Sequence, residues 1–129
     1  MIPKFRAYDS GSLSRMYQPD EVMVGDGNIW IIDEDSVAGD WIVNNDLNLM
    51  QSTGLKDKNG KEIFEGDIVD YKGREAVIKW HGSYASFIYR FVDGLQERVS
   101  KWDPLFLACY HFEVIGNIYE NPELLEVGE

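Results

Sequence analysis

The chain holds a single cysteine, Cys109, and two histidines, His81 and His111. One thiol rules out an intrachain disulfide and suits the reducing cytoplasm. Those three side chains are too few to close a structural zinc site without carboxylate help, and neither a metal nor a cofactor is expected. Long apolar runs are missing too. No stretch approaches the roughly 20 apolar residues that span a bilayer, and the opening Met1-Ile2-Pro3-Lys4-Phe5-Arg6 lacks the apolar core of a secretory signal. No membrane association is expected.

Bases are scarce at both ends. Residues 1–50 carry nine acids against three bases, a net −6; residues 111–129 carry five acids and no base; residues 51–110 carry nine of each. The total of −11 opposes non-specific attraction to a phosphate backbone. What is present is an ordinary globular composition, 44% hydrophobic and 27% charged. A chain of 129 residues suits one compact body, and near this size about two-thirds of the unfolded surface is buried.

The N-terminal third consists of short β-like runs, Lys4 to Tyr8, Glu21 to Val24, Asn28 to Ile32 and Trp41 to Val43, broken by Asp9-Ser10-Gly11-Ser12, Gly25-Asp26-Gly27 and Asp33-Glu34-Asp35. Leu13 to Tyr17 suits one helical turn instead. Runs this short cannot make a stable sheet alone, so residues 1–50 are expected to form a β-rich extension packed on the C-terminal part of the chain.

From Glu65 the alternation is clearer. Asp67 to Tyr71, a Lys72-Gly73 turn and Glu75 to Trp80 come first, with Ala76, Ile78 and Trp80 on one face. Phe87 to Val92 places Phe87, Tyr89 and Phe91 together. Asp93-Gly94 then signals a hairpin to Leu95 to Val99. The last run is Phe112 to Tyr119, with Phe112, Val114 and Ile118 expected on one side. Five short antiparallel strands over residues 51–129 fit an SH3-like small barrel. Asn121-Pro122-Glu123 reads as the capped start of a short C-terminal helix.

Between these parts, Gln51 to Val69 concentrates turn chemistry around a few apolar anchors. Asn59-Gly60 suits a tight turn, Gly54 and Gly66 can take backbone conformations closed to other residues, and Leu55, Ile63, Phe64 and Ile68 can pin a loop to a core. The expected role is a structural clamp.

The stretch Thr53-Gly54-Leu55-Lys56-Asp57-Lys58-Asn59-Gly60-Lys61-Glu62-Ile63-Phe64-Glu65-Gly66-Asp67-Ile68-Val69 closely resembles the signature of the YopX family, small proteins encoded by bacteriophages and prophages. Lys4-Phe5-Arg6-Ala7-Tyr8-Asp9 is similar to that family's opening, with Tyr8 where tryptophan is common. Glu113-Val114-Ile115-Gly116-Asn117-Ile118-Tyr119-Glu120-Asn121-Pro122-Glu123-Leu124-Leu125 is similar to its ending. The resemblance implies a phage or prophage origin and a bacterial cytoplasmic setting. It brings no established activity and no assigned catalytic residue, so it transfers no chemistry to any position.

The residues themselves offer little more. Asp33-Glu34-Asp35 and Asp57-Lys58-Asn59-Gly60 invite a calcium reading, but the fifth position is Val37 in one and Lys61 in the other, where a calcium loop needs an oxygen ligand. Solvated turns suit both better. Cys109 and His111, two apart on a strand, would share a face, yet no orienting acid accompanies them, and Cys109 suits a packed core position. His81 beside Gly82 marks a strand end. Trp30, Trp41, Trp80 and Trp102 suit core or interface anchors.

The function expected is therefore non-enzymatic: an interaction module that binds a host or phage protein, with self-association as one form. Two alternatives stand beside it. One is a nucleic-acid-binding barrel using Lys56, Lys58 and Lys61, which the net charge disfavours. The other is an acidic mimic of DNA that binds a basic host protein, which needs the acids of the two ends on one continuous surface.

Overall fold

Short apolar runs punctuated by glycine, asparagine and aspartate cannot sustain helices, and in a computed structural model the chain is mainly β, with several antiparallel sheets. The structure describes residues 4–11, 14–33, 35–81, 86–92 and 109–125. The chain divides into two units, Met1–Ser52 and Thr53–Glu129.

In the first unit, β1 (Phe5–Asp9) lies between β2 (Arg15–Tyr17) and the first part of β6 (Asn48–Lys56), antiparallel to both. The helical turn expected for Leu13 to Tyr17 is β2 instead. Its register with β1, Ala7 opposite Tyr17, buries both side chains, which one helical turn would not do. Arg15 stacks its guanidinium over the Tyr17 ring at 4.2 Å and forms an ion pair with Glu21.

A separate three-stranded sheet orders β3 (Val22–Gly25), β4 (Asn28–Ile32) and β5 (Trp41–Val43). Asp26 and Gly27, both with positive φ, turn β3 into β4. Ala7, Tyr17, Val22, Ile31 and Leu47 form the buried core of this unit.

In the second unit, β7 (Glu62–Phe64) follows the end of β6, and a curled four-stranded sheet runs β10 (Ser86–Phe91), β9 (Arg74–His81), β8 (Asp67–Tyr71), β11 (Phe112–Asn117). The Lys72-Gly73 turn has positive φ at both residues, as a two-residue hairpin with right-handed strand twist requires. Both faces of the sheet are covered. One carries Val69, Ala76, Ile78, Tyr89 and Phe112 beneath Ile63 and Cys109. The other carries Ile68, Val77 and Val92 against Ile118, Leu124 and Leu125.

Ile118 thus lies opposite to the expectation that it shares a side with Phe112 and Val114. Pairing slips between Val114 and Gly116, so Ile115 is an extra residue, the strict alternation breaks there, and the strand ends at Asn117. The expected C-terminal helix is a single 3-10 turn, Pro122–Leu125, among the described residues. The Asn121 side chain does not cap it; its Oδ1 accepts the Asn117 N–H behind it at 3.2 Å. Asp93-Gly94, Leu95 to Val99 and Trp102 lie outside the described residues.

Candidate functional site

Gln51 to Val69, read from sequence as a pinned loop, is one hairpin, β6–β7, followed by a tight turn that carries the chain from β7 into β8 of the four-stranded sheet. β6 runs into it, Asp57 to Gly60 turns the chain, β7 comes next, and Glu65-Gly66 turns it again into β8. Thr53 Oγ1 donates to the Ile63 carbonyl at 2.8 Å and accepts the Leu55 N–H at 3.1 Å, tying β6 to β7. Ile63 and Phe64 are buried, and Leu55 packs on the same core.

Asp57 is the centre of the first turn. Its side chain is only 6% exposed. Oδ1 accepts N–H bonds from Asn59 at 2.9 Å and Lys61 at 2.8 Å, and Oδ2 accepts that of Val114 on β11 at 2.9 Å. The backbone adds Gly60 N–H to the Asp57 carbonyl at 3.0 Å and Lys58 N–H to the Phe112 carbonyl at 2.9 Å. Burial alone would raise the carboxyl pKa. The N–H bonds from Val114, Lys61 and Asn59, with the Lys61 charge, outweigh it and hold the pKa below its ordinary value.

The second turn repeats this logic. Asp67 is fully buried and accepts the Phe64 N–H at 2.8 Å. Gly66 has φ 86°, donates its N–H to the Ile78 carbonyl and accepts the Ile118 N–H, each at 2.9 Å. Gly54, inside β6, also has positive φ, at 78°.

The closing block is a third knot. Asn117 Oδ1 accepts the N–H groups of Tyr119 at 3.0 Å and Glu120 at 2.9 Å, while its Nδ2 donates to Glu120 Oε1 at 2.8 Å. Asn121 lies directly over Gly116, where a Cβ would stand 2.5 Å from Asn121 Oδ1. Pro122 opens the closing 3-10 turn.

What remains free for recognition is different in kind. Lys56, Lys58 and Lys61 are all exposed around the β6–β7 turn, and none forms an ion pair among the described residues. Trp41 is 38% and Trp80 48% exposed, with Trp80 packed edge-on to Phe87 at 5.0 Å. Neither is a core anchor. Cys109 and His111 lie in a 3-10 turn rather than on a strand, with the thiol buried and the imidazole exposed against the Tyr71 ring at 6.0 Å. Their predicted shared face does not exist. Among the described residues no group of three or more histidine, cysteine or carboxylate side chains gathers as a metal site, and no helix is long and apolar enough to cross a membrane.

A family model described as YopX protein matches residues 4–126. The chain belongs to the YopX family. All three knots of this YopX chain fall within the matched span. A solved structure, protein EF1440 from Enterococcus faecalis, is 32% identical, with the alignment covering 98% of this chain and 99% of that one at a TM-score of 0.60. No curated protein matches.

The Val114 amide is the part that sequence reasoning missed. Nothing local marks it as the partner of Asp57, which lies 57 positions away. The turn residues were legible because Asx chemistry acts within four positions; the contact to β11 is set by tertiary pairing.

Proposed function

We propose that this YopX chain is a non-enzymatic interaction module of phage or prophage origin that works in the bacterial cytoplasm. The second unit is proposed to be an SH3-like small barrel. One observation carries the functional reading. The polar side chains that mark the family signature, Thr53, Asp57, Asp67 and Asn117, are engaged with backbone groups of the turns and strands around them, which supports a scaffold role. Large apolar side chains stand exposed elsewhere, Trp41 and Trp80 among them. Such a division suits a protein that presents surfaces rather than one that performs bond chemistry.

The test is affinity capture from lysate of the host bacterium, with the heat-unfolded chain as control. A partner held by the folded chain and not by the unfolded one supports the reading. Recovery of none under several buffer conditions contradicts it.

The exposure of Lys56, Lys58 and Lys61 on one turn favours a second reading, contact with nucleic acid. Three lysines neutralising phosphates give a log–log salt slope of about −2.7 on duplex DNA. Binding that ignores salt, or that survives replacement of all three lysines by alanine, removes this reading.

A further inference from the structure

The β3–β4–β5 sheet turns only one face to the first unit's core. Directly paired residues share a face and alternate residues return to it. Val22 and Ile31 pair on the inner face and are buried. Met23, Trp30 and Val43 form a row on the outer face, with Ile32 and Trp41 forming the next. Met23 is 49%, Val43 44% and Trp41 38% exposed. Five apolar side chains, two of them tryptophan, thus lie side by side on one flank of a three-stranded sheet.

The margin of that sheet is open as well. β5 is the last strand in its order, and all three of its residues are exposed. Asp33 N–H donates to the Asp40 carbonyl at 2.8 Å and Asn44 N–H to the Ile29 carbonyl at 2.9 Å. In an antiparallel ladder the bonded pairs alternate, so Ile42, two from each, directs its backbone groups to β4. Trp41 and Val43 then direct theirs outward, and among the described residues nothing pairs with them. No lysine, proline or bulge guards Trp41 to Val43, which is how exposed edges are normally blunted.

Charge selects the occupant. From residue 16 to residue 55 the chain has eight acids and no base. Asp33, Asp35 and Asp40 flank the sheet in the β4–β5 connection, Asp26 sits in the β3–β4 turn and Asp46 lies just after β5. A second copy paired antiparallel about Ile42 would set Asp40 opposite Asn44 and diagonal to Asp46 of its twin, which brings the two acidic margins together. A basic segment meets opposite charge at both ends and an apolar face between.

We propose that the β5 edge and the outer face beside it dock an extended, basic segment of a partner protein, added as a fourth strand. Its alternate apolar side chains would lie beside Trp41 and Val43, and its lysines or arginines would meet the flanking aspartates. This rests on the interaction-module reading and names its surface and partner chemistry.

The probe is a capped twelve-residue peptide alternating valine with lysine, compared with the same peptide carrying glutamate for lysine. Amide shifts of the isotope-labelled full chain are followed by NMR. The lysine peptide is expected to saturate, to shift Trp41, Val43 and their β4 neighbours, and to bind at least tenfold more tightly than the glutamate peptide. Val43→Lys, on the outer face of the edge strand, and Val43→Pro, which removes one outward N–H, should each weaken it at least tenfold. Val43→Lys keeps the test valid if the proline variant fails to fold. Equal binding of both peptides, no saturation, or shifts confined to other strands overturns the proposal. So does concentration-dependent self-association that Val43→Lys abolishes, since the occupant is then a second copy. If a captured host partner is still retained by Val43→Lys, this surface falls while the interaction reading stands.

Discussion

The carboxylate of Asp57 accepts the backbone N–H of Val114 at 2.9 Å, joining the β6–β7 turn to the middle of β11. The same carboxylate holds the Asn59 and Lys61 amides of its own turn. One buried side chain therefore sets the shape of the turn and fixes the turn against the sheet. Removing it leaves three backbone donors without their acceptor, at a cost of about 2–4 kcal/mol, given that single hydrogen bonds to charged groups contribute about 1.5–3 kcal/mol and do not simply add.

That link titrates with a defined sign. The folded-state pKa of Asp57 lies below its ordinary 3.8, so the carboxylate contributes stability above the unfolded pKa, and the contribution fades as pH falls through the folded value. Chemical unfolding of the wild type and Asp57→Asn should differ most near neutral pH. The gap should narrow below about pH 4. A gap that stays constant down to pH 2 means that the charge does not hold the turn.

Gly116 and Asn121 form a coupled pair. A Cβ on Gly116 would stand 2.7 Å from Asn121 Cγ as well as 2.5 Å from its Oδ1. Gly116→Ala should destabilise by about 1–3 kcal/mol through overpacking. The same change in an Asn121→Ala background should cost less, because the clashing amide is gone. Full additivity in that double-mutant cycle would show that the two side chains do not meet.

Much of the strand pattern could be read from local chemistry. Asn28 to Ile32 and Trp41 to Val43 are strands at those residues, and Lys72-Gly73 is the turn it resembles. β6 was not legible as a nine-residue strand. Asn48, Gln51, Ser52, Thr53 and Gly54 give it no apolar alternation, and pairing with β1, Phe5 opposite Gln51 and Tyr8 opposite Asn48, is what makes it extended. Ile118 was misplaced for a related reason. A period of two carries a face forward only until a bulge, and the bulge at Ile115 is a property of the β8 pairing, invisible in one strand's sequence. In the candidate site, the turn residues and the surface lysines followed from residue type, whereas the exposure of Trp41 depended on where the sheet margin falls.

The three lysines around the β6–β7 turn should be separable from the scaffold they surround. Lys56, Lys58 and Lys61 are exposed, and substitutions at such sites usually change stability by no more than about 0.5 kcal/mol each. The triple alanine variant should unfold within about 1.5 kcal/mol of the wild type. A larger loss would make these side chains part of the clamp.

Cys109 is 3% exposed and packs with Ile63, Tyr89 and Phe112. Its thiol should react with an aromatic disulfide reagent only as the second unit opens, so the labelling rate should follow denaturant concentration. Immediate stoichiometric labelling of the native protein would contradict its core position.

The central claim, that the YopX signature is scaffold, is tested most directly by the unfolding free energy of Gly66→Val. Gly66 has φ 86° and both of its backbone groups bonded, so a β-branched residue there is strained whatever space surrounds it. The expected loss is about 1–3 kcal/mol, with partner binding by the folded fraction unchanged. Undiminished stability together with lost binding would make the segment a recognition loop and contradict the account.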